Sequence, residues 1–462
     1  LVKFSLIISM LPDVLAGSTF ETQPFKLLPG WHFHLKADAL GMVFALLASF
    51  LWICTSVYSI GYMRKSNYRN QTSYYASFAI CLSSTIGLAF AANLGTFFVF
   101  YEVLTLSTYP LVIHFRTKEA RAAGRKYLAY TFAAGQMLLL AIILSAQLSP
   151  GAVFTPGGFL YATGSPLFLQ MLFLLFLFGV GVKVAVVPLH GWLPSAMVAP
   201  TPVSALLHAV AVVKAGAFGC IRIVGFVFGI DTMRELHLDI FLALLACITI
   251  IAASLRALGE THLKRRLAYA TVSQLSYIVL GSAIGSFHAV LGAIFHIAAH
   301  GVMKITLFFC AGSIYTQTHK DDIRDFGGLG RKMPITFGAF AIASLALGGM
   351  PILTGFISKW NLGIGAVEAG MPFFLLVLLA SGLLNFAYFF PILHTAFFKT
   401  TEDSNLEDTN ESSVLIWAPI LATSTAIIIL GVFPDFGLYF YKLAWMAAQS
   451  VANVNTEITA NW

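Results

Sequence analysis

Charged residues are scarce in this sequence. Only 10% of its 462 residues are Asp, Glu, Lys or Arg, whereas 58% are apolar. Soluble domains are nearer a quarter charged, and the deficit here extends along the whole chain, which excludes a soluble protein with a single anchor. The composition indicates a polytopic membrane protein whose helices are surrounded largely by lipid.

Motifs for cofactor, nucleotide or nucleic-acid binding are also missing. The five cysteines are scattered through apolar segments and none forms a C-x-x-C pair, which favours packing roles over redox or metal chemistry. The sequence has no glycine-rich phosphate loop and no nucleophile elbow. We therefore expect no cofactor, no metal and no nucleic-acid partner, and we attribute the net charge of +7 to basic loops at a membrane surface.

The chain begins inside a hydrophobic stretch, Leu1 to Leu15, without an initiator methionine. This stretch is too short for a signal peptide and has no small-residue cleavage site.

The sequence has many apolar runs of about twenty residues. This is the length that crosses a bilayer as a helix. No long polar insertion separates them, and the longest polar stretch is Thr400 to Ser413. We predict an all-α polytopic membrane protein with about 13–14 transmembrane helices. The predicted spans are 1–16, 38–62, 74–92, 93–115, 127–147, 167–198, 200–226, 237–254, 266–284, 286–317, 333–366, 371–397, 413–433 and, more weakly, 437–453.

Lysine and arginine are concentrated in alternate loops of this arrangement. If the loop at Arg64 is cytoplasmic, most basic residues fall on that side, in clusters at 64–69, 116–126, 256–266 and 320–332. This asymmetry follows the positive-inside rule and supports the predicted order of helices. The basic residues on the opposite side are Lys26, Lys36, Arg222 and Arg234.

Two of the predicted spans are too long for one straight helix. The span 167–198 has Pro188 and Pro194, and the span 333–366 has Pro351. Proline removes a backbone donor and clashes with the preceding turn, so we predict a broken helix in each span. In lipid, such a break is tolerated only inside protein or beside a wet cavity.

The two predicted breaks occupy equivalent positions in two groups of five spans. Each break falls in the fourth helix of its group, and an odd number of helices makes the second group enter from the opposite face. This is the pattern of inverted repeats in transporters. We predict N-terminal helices over 1–73, a first repeat over 74–226, a second, inverted repeat over 237–397 and C-terminal helices over 398–462.

Charged residues occur within several of the apolar spans. A charge in mid-membrane costs about 2.5–3.5 kcal/mol on insertion scales, so such residues are candidates for function. Burial disfavours a charged lysine, and a lysine that is close to neutrality can accept and release a proton. The alternative is a structural ion pair, or lysines whose ammonium groups extend to the interface. The embedded residues are Glu102, Lys183, Lys214, Lys304 and Lys359.

Histidines add titratable groups to the same spans. His296, His300 and Lys304 are four residues apart and form one polar stripe on a helix. His208 precedes Lys214 by six residues, so a straight helix would not place the two on one face. Histidine changes charge near neutral pH, which suits proton transfer. A metal site is disfavoured because Lys304 shares the stripe and no acidic residue lies nearby.

Several long motifs resemble the antiporter-like subunits shared by respiratory complex I and the multi-subunit Mrp cation/proton antiporters. The most specific is K-V-A-V-V-P-L-H-G-W-L-P-S-A-M-V-A-P-T-P-V-S-A-L-L-H-A-V-A-V-V-K-A-G over 183–216. Others are K-R-R-L-A-Y-A-T-V-S-Q over 264–274, the stripe from His296 to Lys304, and G-F-I-S-K over 355–359. The resemblance extends over nearly the whole chain.

This resemblance implies a hydrated axis parallel to the membrane plane, with half-channels on each side. It implies that Glu102 pairs with the lysine of the first broken helix, Lys183. The other implied roles are a mid-channel relay at Lys214 and His208, a link into the second half at His300 and Lys304, and a terminal position at Lys359.

The resemblance also implies partners and a location. These are other membrane subunits of a hetero-oligomeric complex in the lipid bilayer of a bacterial inner membrane, with protons, alone or together with sodium or potassium, as the transported ions. The chain lacks the long extensions of the largest complex I relative and of the Mrp A subunit, and Lys359 departs from the glutamate of the complex I subunit of similar size. We favour an Mrp D-type subunit, with a proton-pumping subunit of complex I or of a membrane-bound hydrogenase as the alternative.

Two other functional classes are compatible with a membrane bundle. A structural subunit would use its charges only to hold helices together. A membrane-embedded transferase or polymerase would need a polar catalytic loop at a membrane face, and D-D-I-R-D over 321–325 is the candidate. We interpret that segment as a solvated cytoplasmic loop.

Overall fold

The computed structural model describes residues 1–28, 31–66, 68, 70–160, 164–400 and 409–453. Arg69 and most of the predicted polar stretch 400–413 lie outside the described residues, as does the end of the predicted C-terminal unit. The helices are α1 (Val2–Leu15), α2 (Ala39–Lys65), α3 (Gln71–Ala89), α4 (Leu94–Val112), α5 (Lys118–Leu148), α6 (Pro166–Val184), α7 (Trp192–Ser195), α8 (Thr201–Ala209), α9 (Val212–Arg222), α10 (Ile230–Glu235), α11 (Leu238–Gly259), α12 (Leu263–Ile284), α13 (Phe287–Thr318), α14 (Leu329–Lys332), α15 (Pro334–Gly348), α16 (Thr354–Glu368), α17 (Phe373–Phe398), α18 (Val414–Val432) and α19 (Phe440–Ala452).

Each predicted apolar span contains helix. Within the described residues, 9 stretches of helix are long and apolar enough to cross a membrane. The other predicted spans correspond to α1, α3, α4, α19 and the pair α15–α16. The prediction of an all-α polytopic membrane protein is therefore confirmed. The boundaries of the two repeats stay a prediction.

Both predicted helix breaks are present. Helix α6 ends at Val184, and Ala185 adopts a left-handed conformation with a φ of 66°. Helix then resumes at Trp192. Helix α15 ends before Gly349, whose φ of 93° a glycine adopts without steric cost, and α16 begins at Thr354.

A third break was not predicted. The span 200–226 divides into α8 and α9, which are separated by Val210 and Ala211. Ala211 has φ −106° and ψ −85°, outside the helical region. The sequence here has neither proline nor glycine, so it gives no sign of an interruption. His208 and Lys214 are therefore not carried by one straight helix, because the break lies between them.

The segment between α1 and α2 forms four short strands. The pair β1 (Phe20–Glu21) and β4 (Lys36–Ala37) is antiparallel, as is the pair β2 (Phe25–Leu28) and β3 (Trp31–Phe33). Lys36 Nζ lies 2.6 Å from Glu21 Oε1 and ties the first pair together. Strands of this length are too short to leave a periodic pattern, which is why the sequence does not predict them.

Arg222, one of the basic residues counted on the opposite side, is buried inside the protein. Arg222 lies in α9, and its side chain is only 2% exposed. Its guanidinium donates to both carboxylate oxygens of Asp38, at 2.7 and 2.8 Å. Asp38 also accepts from the backbone N–H of Gly41 at the start of α2. A buried arginine is tolerated when it is paired in this bidentate manner, so the ion pair ties α2 to α9.

Helix α13 is the central element of the molecule. It contacts α2, α8, α12, α15, α16, α18 and α19, and its residues from Ala289 to Ile314 are all buried. Because protein rather than lipid surrounds it, this helix can carry polar side chains at the depth of the membrane.

Candidate functional site

Several candidate side chains lie at helix ends next to the breaks. Lys183 is in the last turn of α6, and His208 is in the last turn of α8. Lys214 is in the first turn of α9, and Lys359 is in the second turn of α16. Helix ends leave backbone groups without partners inside the helix, so polar side chains and water are accommodated there.

Glu102 and Lys183 affect each other electrostatically without a direct ion pair among the described residues. Lys183 Nζ donates to the main-chain oxygen of Tyr101 at 2.6 Å and lies 3.2 Å from the centre of the Tyr101 ring. The charges of Lys183 and Glu102 are within electrostatic range, but no ion pair below 4 Å joins them within the described chain. Glu102 Oε1 is buried against Gly135 of α5 and has no hydrogen-bond partner among the described residues. The ion pair between Glu102 and Lys183 that the resemblance implies can therefore form only if one of the two side chains moves.

Helices α6 and α9 meet closely beside Lys183. A Cβ on Gly216 of α9 would lie 2.5 Å from the backbone nitrogen of Val184 and 2.8 Å from Lys183 Cβ. Lys214 precedes this contact by two residues and is 0% exposed. The two lysines are thus carried by directly adjoining helices.

The predicted polar stripe is present on α13. His296, His300 and Lys304 are all 0% exposed. The rings of His296 and His300 are 5.7 Å apart between centroids. Lys304 Nζ donates to the main-chain oxygen of Leu267 on α12 at 3.1 Å.

A group of buried titratable side chains surrounds His300. It is within electrostatic range of His208, Lys214, His296 and Lys304. Both ring nitrogens of His208 and of His300, and Nζ of Lys214, have no hydrogen-bond partner in the described part of the protein. Buried polar atoms are normally satisfied by protein or by internal water, so this group is suited to hold water.

Helix α13 is joined to α16 through His296. Its Nδ1 lies 2.8 Å from the hydroxyl of Ser358, and its ring centroid lies 5.5 Å from that of Tyr277 on α12. Lys359 follows Ser358, and its Nζ lies 5.2 Å from the centre of the Tyr277 ring. It donates to the main-chain oxygen of Leu347, in the last turn of α15, at 2.5 Å. The lysine of each broken helix therefore donates a hydrogen bond to a backbone carbonyl, and neither lysine forms an ion pair with a carboxylate among the described residues.

Three side chains in this region were not predicted as site residues. They are Tyr101 beneath Lys183, Ser358 beside His296, and Tyr277 between His296 and Lys359. Tyr101 and Ser358 are sequence neighbours of predicted residues, so proximity along the chain could have indicated them. Tyr277 belongs to a different helix, and only the packing reveals its position.

The acidic loop 321–325 has the geometry of a solvated turn. Arg324 donates to both carboxylate oxygens of Asp322, at 2.9 and 2.7 Å. These hydrogen bonds lower the pKa of Asp322 to about 2. A carboxylate with that pKa stays ionised near neutral pH, and its two oxygens are both engaged by Arg324.

A family model described as "NADH:quinone oxidoreductase/Mrp antiporter, TM" matches residues 91–385 of this chain. The matched region includes all candidate residues from Glu102 to Lys359.

Two curated relatives align with most of the chain. The NADH-quinone oxidoreductase subunit N of Desulforudis audaxviator is 32% identical over 438 residues, which cover 90% of this chain and 86% of the relative. The Na(+)/H(+) antiporter subunit A1 of Staphylococcus haemolyticus is 30% identical over 490 residues, which cover 99% of this chain and 59% of the relative. The chain thus spans little more than half the length of that A1 subunit.

A solved membrane complex contains the same fold. A chain in the structure of the Mrp complex from a Dietzia species superposes with a TM-score of 0.83, and the match covers 98% of this chain and 91% of that chain. The sequence identity is 21%, so the likeness concerns the fold alone.

Proposed function

Because the chain belongs to the NADH:quinone oxidoreductase/Mrp antiporter family of membrane subunits, we propose that it passes protons along its buried line of ionisable residues as one subunit of a cation/proton antiporter complex. The line begins at Glu102 and Lys183, continues through the group around His300, and ends at Lys359. The resemblance deduced from the sequence is confirmed at the level of this family.

One observation carries the proposal. Five nitrogens of His208, Lys214 and His300 are buried in the centre of the bundle without hydrogen-bond partners among the described residues. A purely structural polar network would be expected to satisfy its members, because each unsatisfied buried group costs about 1–3 kcal/mol. Water that bridges these nitrogens would satisfy them and would also connect them for proton transfer.

The broken helices supply the parts that move in this proposal. Lys183 is held by the carbonyl of Tyr101, and the Glu102 carboxylate is close but separate. When the two side chains meet, the carboxylate stabilises the charged lysine and draws a proton to it. When they separate, the charged form loses that support and the proton passes onward towards Lys214.

We infer that the energy for transport comes from partner subunits of the complex. The Na(+)/H(+) antiporter A1 relative and the Mrp complex fold support cation exchange as the driving reaction. The N-subunit relative, 86% of whose length is matched, supports a redox-driven complex as the second candidate. The assignment of this chain as a D-type subunit of an Mrp antiporter stays a prediction. Identification of the subunits that co-purify with this chain would separate these candidates.

The proposal is tested with two substitutions in the intact complex reconstituted into vesicles. Lys183→Ala and Glu102→Gln are each expected to lower proton flux by about 10²-fold, the usual effect of removing a positioned proton-transfer group. Flux is measured with a pH-sensitive dye inside the vesicles and divided by the amount of assembled complex. Lys26→Ala, which changes an exposed lysine in β2, is the matched control. Normal flux in both variants would contradict the relay.

If the chain has only a structural role, a different result is expected for a substitution at the centre of the line. Lys304→Ala would then lower the yield of assembled complex and leave flux per complex unchanged. In our proposal, the same change lowers flux in the complexes that do assemble.

A further inference from the structure

A tryptophan side chain spans the first helix break. Helix α6 ends at Val184 and α7 begins at Trp192. The indole Nε1 of Trp192 donates to the main-chain oxygen of Val182 at 2.7 Å, and both residues are buried. Val182 directly precedes Lys183 in the chain. A side chain of α7 therefore holds the backbone of α6 at the lysine of the first broken helix.

Aromatic side chains donate to two carbonyls near the end of α6. The Val182 oxygen accepts from Trp192 and also from the N–H of Ala185, at 3.1 Å. The Tyr101 hydroxyl donates to the main-chain oxygen of Gly179 at 2.7 Å. Carbonyls at the C-terminal end of a helix carry a partial negative charge that favours a nearby cation. Donors on these oxygens offset part of that charge beside the lysine.

Trp192 is itself held in place by a tyrosine of α5. The rings of Trp192 and Tyr127 are 5.3 Å apart between centroids, and both side chains are 0% exposed. The Tyr127 hydroxyl shares a hydrogen bond with the hydroxyl of Thr108 on α4 and lies 3.4 Å from the main-chain oxygen of Thr105. The indole is therefore connected to α4 through α5.

These contacts form a closed circuit around the break. Lys183 of α6 donates to the Tyr101 carbonyl of α4, α4 contacts Tyr127 of α5, Tyr127 packs on Trp192 of α7, and Trp192 returns to α6. Glu102 follows Tyr101 on α4. The circuit thus fixes the end of α6 relative to the helix that carries the Glu102 carboxylate. We call it the aromatic clasp; its members are Tyr101, Tyr127 and Trp192.

A purely structural role is the alternative for the Trp192 hydrogen bond, since buried indole N–H groups usually find a partner. Two observations favour more than that. Trp445 Nε1 has no hydrogen-bond partner among the described residues, so this fold does not require every indole to be paired. The oxygen that Trp192 selects already accepts from Ala185 and adjoins Lys183.

We propose that Trp192 is a positioning residue for proton transfer by Lys183. Through the Val182 carbonyl, it places the lysine relative to the Glu102 carboxylate and weakens the negative helix end that favours the charged lysine. The indole carries no proton itself, because its N–H only donates. This inference rests on the proposed function, since it concerns the same lysine.

The test compares two substitutions of similar size in the reconstituted complex. Trp192→Phe removes the donor. Trp192→His keeps it, because the imidazole superposes on the five-membered half of the indole and its Nε2 takes the place of Nε1. Proton flux per assembled complex is measured as a function of pH. In Trp192→Phe the midpoint of the profile should rise by about half a unit, the size of the effect of a helix end on a nearby charge.

The matched controls should keep the midpoint of the unchanged protein. They are Trp192→His and Trp445→Phe, which removes an indole without a partner among the described residues. Below the midpoint, flux in Trp192→Phe should be about threefold lower. A lower melting temperature or yield with an unmoved midpoint would make Trp192 structural and overturn the inference. An equal shift in Trp192→Phe and Trp192→His would also overturn it.

Two further variants complete the test. If the Trp192 variants do not assemble, Tyr127→Phe keeps the ring against the indole and removes the hydroxyl that contacts Thr108. Its midpoint should move in the same direction, and an unmoved midpoint rejects the positioning role. Lys183→Ala is measured alongside: loss of flux there with an unmoved midpoint in Trp192→Phe rejects the positioning role alone, whereas normal flux in Lys183→Ala rejects the proposed function.

Discussion

The lysines of the two broken helices share an unusual local environment. Lys183 donates to the carbonyl of Tyr101, and Lys359 donates to the carbonyl of Leu347. Each ammonium also lies near a tyrosine ring, Tyr101 in one case and Tyr277 in the other. A carbonyl dipole and a ring face stabilise a cation less than a carboxylate does, so neither lysine is locked in its charged form.

At the residue scale, Gly135 controls the position of the Glu102 carboxylate. A Cβ there would lie 2.4 Å from Glu102 Oε1 and 2.8 Å from its Cδ. We expect Gly135→Ala to displace the carboxylate at little cost in stability, because the end of the side chain can rotate away. Flux per complex should fall about tenfold to a hundredfold, because a shift of about 1 Å in the position of a reacting group can slow a reaction by that factor.

The control for this change is Gly338→Ala in α15. No atom lies within 4 Å of a Cβ at that position, and alanine favours a helix by up to about 1 kcal/mol over glycine. Flux should be unaltered. Equal flux in Gly135→Ala and Gly338→Ala would show that the position of the Glu102 carboxylate does not matter.

At the scale of elements, helix breaks and helix contacts define the line. The break after α8 turns the chain between His208 and Lys214, so both can approach α13. The close contact at Gly216 brings α9 onto α6. A line of ionisable groups is therefore assembled from the ends of short helices rather than along one helix.

The ion pair between α2 and α9 should contribute to the stability of the folded chain. Arg222→Met leaves the Asp38 carboxylate without its partner, and we expect a loss of about 3 kcal/mol, the lower end for a buried pair because Asp38 is partly exposed. The melting temperature of the solubilised complex measures this effect.

A second substitution tests the cause of that loss. Asp38→Asn removes the charge but keeps the side-chain oxygen that accepts from Gly41 at the start of α2. The double variant should therefore recover part of the stability that Arg222→Met loses. A double variant less stable than Arg222→Met would show that the unpaired charge is not the cause.

At the scale of the whole molecule, the basic loops predict the orientation. Ser18 and Arg121 are both exposed and lie on opposite sides in the predicted topology. All five native cysteines are buried, so the unchanged chain should give little background labelling.

Single cysteines at these positions test the orientation. A membrane-impermeant maleimide applied to intact cells should label Ser18→Cys but spare Arg121→Cys. Inverted vesicles should give the reverse result. Labelling of Arg121→Cys in intact cells would reverse the predicted orientation.

The apolar spans and the two proline-linked breaks could be predicted from the sequence. Lipid requires long runs of apolar residues for each crossing, and proline cannot donate the hydrogen bond that continues a helix. The embedded charges were equally visible, since Glu102 and the four lysines interrupt apolar runs. These features depend on residues that are close together in the chain.

Other features depend on residues far apart, and only the tertiary structure decided them. The burial of Arg222 depends on Asp38, 184 positions away, whose carboxylate accepts hydrogen bonds from its guanidinium. Tyr277 has no local signal, because its partners Ser381 and Lys359 come from other helices. The sequence by itself thus determined which groups enter the membrane, because the cost of transfer from water depends on each side chain. The packing of the helices decided which of those groups touch, because contacts between distant residues exist only after the chain has folded.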